Sequence, residues 1–179
     1  MVAKPLRDTL LHADIQYLDA KNDSFIYKEV DSSPLAGLLP GTIPPSTLCP
    51  NKLNGSTYTI DCSNMRALRS PLWTINLGAQ QSFDLNGNLK LTIEVSTHYQ
   101  TSSIVMFERR PYSTQGAYWT SDAAVSVGAR NSSWTATFFI NNISDSRILT
   151  NAYYNSFSTI IAGNYSPPRT YGARLQFKF

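Results

Sequence analysis

RTYGARLQFKF, residues 169–179, is the stretch that decides the fold class of this chain. Apolar side chains stand at every second position, at Tyr171, Ala173, Leu175, Phe177 and Phe179, and the residues between them are polar or glycine. Successive side chains of a β-strand point to opposite faces of the sheet, so this alternation predicts a strand with one apolar face and one polar face.

The same alternation occurs in five earlier segments of the chain. They cover residues 11–17, 73–85, 89–99, 119–129 and 134–141. Several of these segments reach the ~9–11 residues that a tilted strand needs to cross a bilayer, whereas strands of soluble proteins are commonly about five or six residues long. We predict an all-β fold in which one domain, residues 1–179, forms an antiparallel up-and-down meander of about six long strands.

The connections between the predicted strands alternate between long and short. Residues 86–88 and 130–132 form tight turns, while residues 21–71, 108–116 and 150–168 form long connections. Outer-membrane barrels combine short turns on the periplasmic side with longer loops on the extracellular side. The alternation therefore favours a transmembrane β-barrel with the three long connections outside the cell.

The composition agrees with strands that have an apolar face and a polar but mostly uncharged face. Charged residues make up only 15% of the chain, below the ~25% typical of soluble domains. Trp and Tyr recur on the apolar face, as in the aromatic belts of membrane interfaces, at Trp73, Tyr99, Trp119, Trp134 and Tyr171. No basic run exceeds Arg109-Arg110, so we expect no nucleic-acid partner.

Several stretches resemble TonB-dependent outer-membrane receptors. The final Pro168-Arg169-Thr170-Tyr171-Gly172, followed by an alternating strand and a terminal Phe, is similar to the end of these receptors. Weaker similarities to the family's strand openings and strand ends occur at residues 17–21, 71–78 and 139–147. The resemblance implies that the chain is the C-terminal portion of the receptor's transmembrane β-barrel, with its C-terminus facing the periplasm.

The resemblance also implies partners and a location. The last strand of the family, with its terminal aromatic residue, is the signal for the barrel-assembly machinery, and it matches Tyr171, Leu175, Phe177 and Phe179 here. Such receptors lie in the lipid of the bacterial outer membrane. They import scarce small-molecule nutrients, for example ferric siderophores, with energy from the TonB complex, which they contact through an N-terminal part.

The chain departs from the family in two respects. The family has a 22-stranded barrel with an N-terminal plug, whereas we find six strands and no plug, no TonB-contacting segment and no signal peptide. Six strands are too few to close, because the smallest membrane barrels have eight. We therefore expect a fragment of a longer receptor that neither reaches the membrane nor transports by itself.

Candidate ligand-binding residues lie in the predicted external connections. Arg109, Arg110 and Tyr112 are suited to an anionic ligand, and Tyr153 and Tyr154 to stacking on one. The alternatives are a solvated loop tip for the arginine pair and packing at the barrel rim for the tyrosines. On the strand 89–99, Lys90 and Glu94 share the polar face, where they either line the lumen or form an ion pair.

Cys49 and Cys62 fall in one loop rich in Pro, Asn and Ser. A disulfide there stabilises by roughly 3 kcal/mol in the chain-entropy model and requires an oxidising compartment; the alternative is two unpaired thiols. We assign no metal site and no cofactor, since neither the cysteines nor His12 and His98 have partners at metal-ligand spacing.

No enzyme is expected, because paired acid and base residues and nucleophile motifs are missing from the sequence. The main alternative function is a secreted β-sandwich binding module of the lectin or adhesin kind, which would be a soluble monomer. A jelly-roll enzyme and a small porin-like barrel formed by several chains are further alternatives.

Overall fold

The computed structural model describes residues 1–85, 87–155 and 160–178 of an all-β protein. Its largest unit is a seven-stranded antiparallel sheet with the order β1-β2-β6-β7-β10-β11-β14. The strands are β1 (Val2–Ala3), β2 (Thr9–Tyr17), β6 (Trp73–Asp84), β7 (Leu89–Gln100), β10 (Tyr118–Ala129), β11 (Trp134–Asn141) and β14 (Thr170–Phe177). Within the described ranges, no helix has the length and apolar character needed to cross a membrane.

The six long strands predicted from the sequence are all present, and each pairs with the next one along the chain. The two-residue β1 is an additional strand that pairs with β2 only at Leu11 and His12. The sheet is open, since no strand in the described part of the chain joins β14 back to the other edge. A closed barrel is therefore not formed by these strands alone.

The register aligns apolar residues in rows across one face of the sheet. One row runs through all six long strands at Leu11, Ala79, Val95, Ala123, Ile140 and Tyr171. The opposite face is mainly polar, with neighbours such as Asp14, Asn76, His98 and Thr120. The alternation along the strands produces this division, because a one-residue shift in any pairing would move its side chains to the wrong face.

The two connections predicted to be tight turns are short. Ser132, in the β10–β11 turn, has a φ of 59°, and its amide donates to the carbonyl of Ala129. In the β6–β7 turn, Gly87 has a φ of 73°, a left-handed conformation that glycine adopts without a steric penalty. Asn86, the first residue of that predicted turn, lies outside the described residues.

The three long connections contain strands of their own, which the sequence reading missed. The first holds a three-stranded sheet with the order β3 (Ile26–Val30), β5 (Thr57–Asp61) and β4 (Asn51–Asn54). A short 3-10 helix, Pro34–Ala36, lies between β3 and β4. The second contains β8 (Ser103–Ile104) and β9 (Thr114–Gln115), and the third contains β12 (Leu149–Asn155) and β13 (Ile160–Tyr165). All three connections leave the same end of the large sheet.

Among the described residues, the buried apolar ones lie in these connections and not on the large sheet. One cluster contains Cys49, Tyr58, Ile60 and Cys62, and a second contains Val105, Met106 and Ala152. Large apolar side chains of the sheet are exposed instead, for example Phe138 at 67%, Leu175 at 70% and Tyr171 at 83%. The sheet thus has an apolar face that no described residues cover.

Candidate functional site

The described parts of the three long connections pack together into one unit, which we call the loop cap (residues 18–72, 101–117, 142–155 and 160–169). Its core is the three-stranded sheet, closed by a disulfide between Cys49 and Cys62 whose Cα atoms are 5.0 Å apart. The disulfide proposed from the sequence is therefore present in the structure. Four partly buried side chains pack around it: Phe25, Tyr27, Leu53 and Met65.

Asp31 holds the segment that follows β3. Its Oδ1 accepts hydrogen bonds from the backbone amide of Ser33 at 3.0 Å and from the Ser33 hydroxyl at 2.6 Å. Its Oδ2 accepts one from the amide of Gly41 at 2.7 Å. These hydrogen bonds, above all the one from the Ser33 hydroxyl, lower the pKa of Asp31. One carboxylate thus fixes a turn of about ten residues in the loop cap.

Arg109 is fully buried in the loop cap. Its Nη2 donates to the backbone carbonyl of Arg66 at 2.5 Å, and the guanidinium lies 5.6 Å from the centre of the Phe25 ring. Nε and Nη1 have no hydrogen-bond partner among the described residues. Burial lowers the pKa of Arg109, because desolvation penalises the charged form.

Arg110 connects all three parts of the loop cap. Its Nη2 lies 3.3 Å from Oε1 of Glu29 and its Nη1 donates to the carbonyl of Ser46 at 3.4 Å, both in the first connection. Its guanidinium stacks 3.9 Å from the centre of the Tyr154 ring, in the third connection. A charge-assisted pair and a cation–π contact of this kind favour one relative arrangement of the loops.

Of the five residues that we selected as ligand contacts, the structure brings Arg110, Tyr112 and Tyr154 close to one another. Arg110 and Tyr154 are in contact, but both guanidinium groups are buried, at 0% and 6% exposure for Arg109 and Arg110. The alternative of a solvated loop tip is therefore wrong for this pair. Tyr112 is partly exposed, and burial of its ring raises its pKa. Tyr153 is 54% exposed and alternates with Tyr154 along β12, so it faces away from Arg110.

The residues assigned to the C-terminal assembly signal lie on the edge strand of the sheet. Tyr171, Leu175 and Phe177 alternate along β14 on the exposed apolar face. Phe179 lies outside the described residues. Whether these residues are recognised during assembly remains a prediction.

A second candidate site lies on the polar face of the large sheet and was missed by sequence reasoning. It is a cleft of about 340 Å³ that spans β2, β6, β7, β10 and β11. The polar residues that line it are His12, Gln80, Glu94, Ser96, Asp122 and Asn141. Alternation assigned most of these residues to the polar face, but only the register between strands brings them to one place.

Lys90 and Glu94 do not form the ion pair that was one interpretation of their spacing. Lys90 lies beside Asp84 and Gly128, outside the cleft that Glu94 lines. The ion pair on this face joins Arg130 and Asp84, whose nitrogen and oxygen are 2.5 Å apart. In the described part of the chain, no three His, Cys, Asp or Glu side chains are grouped so that they would hold a metal ion.

The loop cap and the cleft each bring chemically active groups from distant parts of the chain together. The chain matches no protein-family model, no curated protein and no solved structure.

Proposed function

We propose that this chain forms part of the transmembrane β-barrel of a TonB-dependent outer-membrane receptor, which imports a scarce nutrient such as a ferric siderophore. The observation that carries the proposal is the uncovered apolar face of the large sheet. Phe138, Tyr171 and Leu175 are all more than 60% exposed there. Soluble proteins rarely leave contiguous apolar surface of this extent uncovered. On an outer-membrane barrel, the outward apolar surface is covered by lipid.

Polar groups on the apolar face satisfy one another, as a lipid-facing surface requires. The Ser121 hydroxyl donates to Thr97 Oγ1 at 3.0 Å, and the Thr97 hydroxyl donates to the carbonyl of Thr120 at 3.0 Å. On β2 and β6, the Thr9 hydroxyl donates to the side-chain oxygen of Gln81. These polar residues therefore need no water from the apolar side.

Aromatic residues lie at both ends of the apolar face. At the loop-cap end, Tyr17 packs on Trp73 with ring centres 4.9 Å apart, and Tyr99 packs on Trp119 at 4.6 Å. At the turn end, Trp134 pairs with Phe177 of the neighbouring strand. Two aromatic belts separated by aliphatic rows are typical of outer-membrane barrels.

The proposal also gives a role to the open edges of the sheet and to the loop cap. The open edges of the sheet would pair with further barrel strands, since unpaired backbone groups in lipid cost several kcal/mol each. The loop cap would face the outside, where its disulfide meets an oxidising environment. Arg109 and Arg110 would then shape the loop cap, and exposed residues such as Tyr112 and Tyr153 would be free to contact the nutrient.

The three tryptophans make the proposal directly testable, because Trp73, Trp119 and Trp134 are the chain's complete set and all lie on the apolar face. The full chain would be inserted into lipid vesicles that carry bromine at defined depths of the acyl chain. We expect bromine to quench the tryptophan emission, and to quench it more when placed near the headgroups than at the bilayer centre.

Single-tryptophan variants, with the other two residues changed to Phe, assign the quenching to each end of the sheet. A β-sandwich module of the secreted kind would bury these rings against a second sheet in water. Emission that no brominated lipid quenches, from a chain that fractionates as a soluble folded monomer, would refute the proposal in favour of that alternative.

A further inference from the structure

The cleft on the polar face of the large sheet is lined by polar side chains, and several of them have no hydrogen-bond partner in the described part of the chain. Elsewhere on this face, some polar side chains pair across strands: His98 Nδ1 lies 2.7 Å from Asn76 Oδ1, and the hydroxyls of Ser126 and Thr137 are 2.8 Å apart. Within the cleft, the side chains of His12, Gln80, Glu94 and Ser96 make no hydrogen bond to any other described residue. Their hydrogen-bonding capacity is open to a ligand.

Two rings border the cleft, and glycines on the adjacent strands make room for them. The tip of the Phe139 ring occupies the space above Gly172, where Cζ is 2.7 Å from the position that a Cβ would take. The His12 ring lies in the same way over Gly78. The two rings thus lie beside small residues such as Ser96 and Ala124. The short side chains of these residues leave space for a ligand between the rings.

The mixture of polar groups selects the chemistry of the ligand. Glu94 and Asp122 repel anions, and no Lys or Arg among the described residues lines the cleft. A simple ammonium ion offers only donors, so it would leave the donors of Gln80 and Ser96 without acceptors. Hydroxyl groups both donate and accept, and they match carboxylates, amides and a serine at once.

We propose that this cleft binds a neutral saccharide of one or two rings. A sugar ring has an apolar C–H side that packs on an aromatic ring such as Phe139, and an edge of hydroxyls for the polar side chains. The volume of about 340 Å³ lies at the small end of ligand pockets in proteins, which fits a ligand of this size. The proposal depends on the sheet and its register, and it holds whether or not the chain is part of a transporter.

Saturation-transfer NMR on the full chain tests the proposal, because this method detects weak binding to large particles. The chain would be placed in micelles of a detergent without a sugar headgroup, in which circular dichroism shows its β-sheet. The probes are glucose, galactose, mannose, N-acetylglucosamine and maltose, with putrescine and acetate as charged comparisons. We expect transfer to the ring C–H protons of at least one saccharide and none to the methyl protons of acetate.

Variants locate the binding in the cleft. Phe139→Leu removes the aromatic surface and should weaken saccharide binding by about fivefold, the size expected for one aromatic contact. Gln80→Ala and Glu94→Gln, at positions without internal hydrogen bonds, should each weaken it without affecting the fold. Gln100→Ala, on the same face of β7 but outside the cleft, should leave binding unchanged.

Three results would overturn the proposal. In the first, no saccharide of the panel shows transfer while the chain is folded by circular dichroism. In the second, the three cleft variants and Gln100→Ala bind a saccharide equally well, so that the binding lies elsewhere. Binding of putrescine in place of every saccharide would likewise reject a neutral ligand. None of these results bears on the tryptophan-quenching test, so the two proposals fail independently.

Discussion

At the scale of single residues, Asp31 determines the local structure of the loop cap. Its three accepted hydrogen bonds favour the ionised carboxylate, so its pKa in the folded protein lies below the ordinary value of 3.8. A carboxyl with a lowered folded pKa stabilises the fold fully above its unfolded pKa, and this contribution is lost as the pH falls through the folded pKa.

We therefore predict that the turn held by Asp31 keeps its hydrogen-exchange protection at neutral pH and loses it as the pH falls below 3.8, through the lowered pKa of Asp31. Hydrogen exchange at the amides of Ser33 and Gly41, corrected for intrinsic exchange rates, would measure the protection of this turn as a function of pH. Asp31→Asn should accelerate both amides at pH 7, because its NH₂ group faces the amide of Gly41 where an acceptor is needed. Asp23→Asn, at an exposed position of the same connection, is the matched control. Equal exchange in both variants would contradict the prediction.

The sequence predicted which connection holds Arg109 and Arg110, but it did not predict that both side chains are buried. Arg109 and Arg110 were placed correctly in a long connection, and the sequence suggested a solvated tip or a ligand contact. Their burial depends on Phe25, Glu29 and Tyr154, which come from distant parts of the chain. Burial of a charge is favourable only when such partners surround it. The sequence around Arg109 and Arg110 contains no pattern that identifies these distant partners.

At the scale of elements, the disulfide should stabilise the loop cap and not the large sheet. Cys49 and Cys62 are 13 positions apart and close a loop that contains β4 and β5, which corresponds to roughly 3 kcal/mol in the chain-entropy model. We predict that the double variant Cys49→Ala, Cys62→Ala accelerates hydrogen exchange of Tyr58 and Ile60 by up to about 100-fold through local opening. The amides of β7 should be unaffected; if they accelerate equally, the two units unfold together and the prediction fails.

The long strands were predictable because their pattern is local. Each has eight or more residues of alternating polarity, and the order of long and short connections assigned each strand its neighbour. Strands of the loop cap were missed for a physical reason. β3 and β5 have only five residues each, so although burial alternates along both strands, each alternating run is too short to stand out in the sequence. Their pairing is set by the disulfide and by packing between distant segments.

At the scale of the whole molecule, the proposal makes the two faces of one strand energetically different. Val125 and Ser126 are adjacent in β10 and point to opposite faces of the sheet. In lipid vesicles, Val125→Lys should destabilise the folded state by about 2–4 kcal/mol, the cost of a lysine near the bilayer midplane. Ser126→Lys should cost about 1 kcal/mol, mainly the lost hydrogen bond to Thr137.

Reversible urea unfolding in vesicles, followed by tryptophan emission, would measure both variants. The comparison is sharp because the two substitutions introduce the same side chain one position apart. Similar costs at the two positions would mean that both faces meet water, and the membrane proposal would then be rejected.

Two glycines of the polar face, Gly78 and Gly172, restrict which substitutions can accumulate in sequences that share this fold. A side chain at position 78 would occupy the space of the His12 ring, and one at position 172 would occupy that of Phe139. A large residue can appear at either glycine only if its partner shrinks in the same lineage. Positions 12 and 78, and positions 139 and 172, must therefore evolve as pairs, so that two residues 66 or 33 positions apart in sequence behave as one inherited unit.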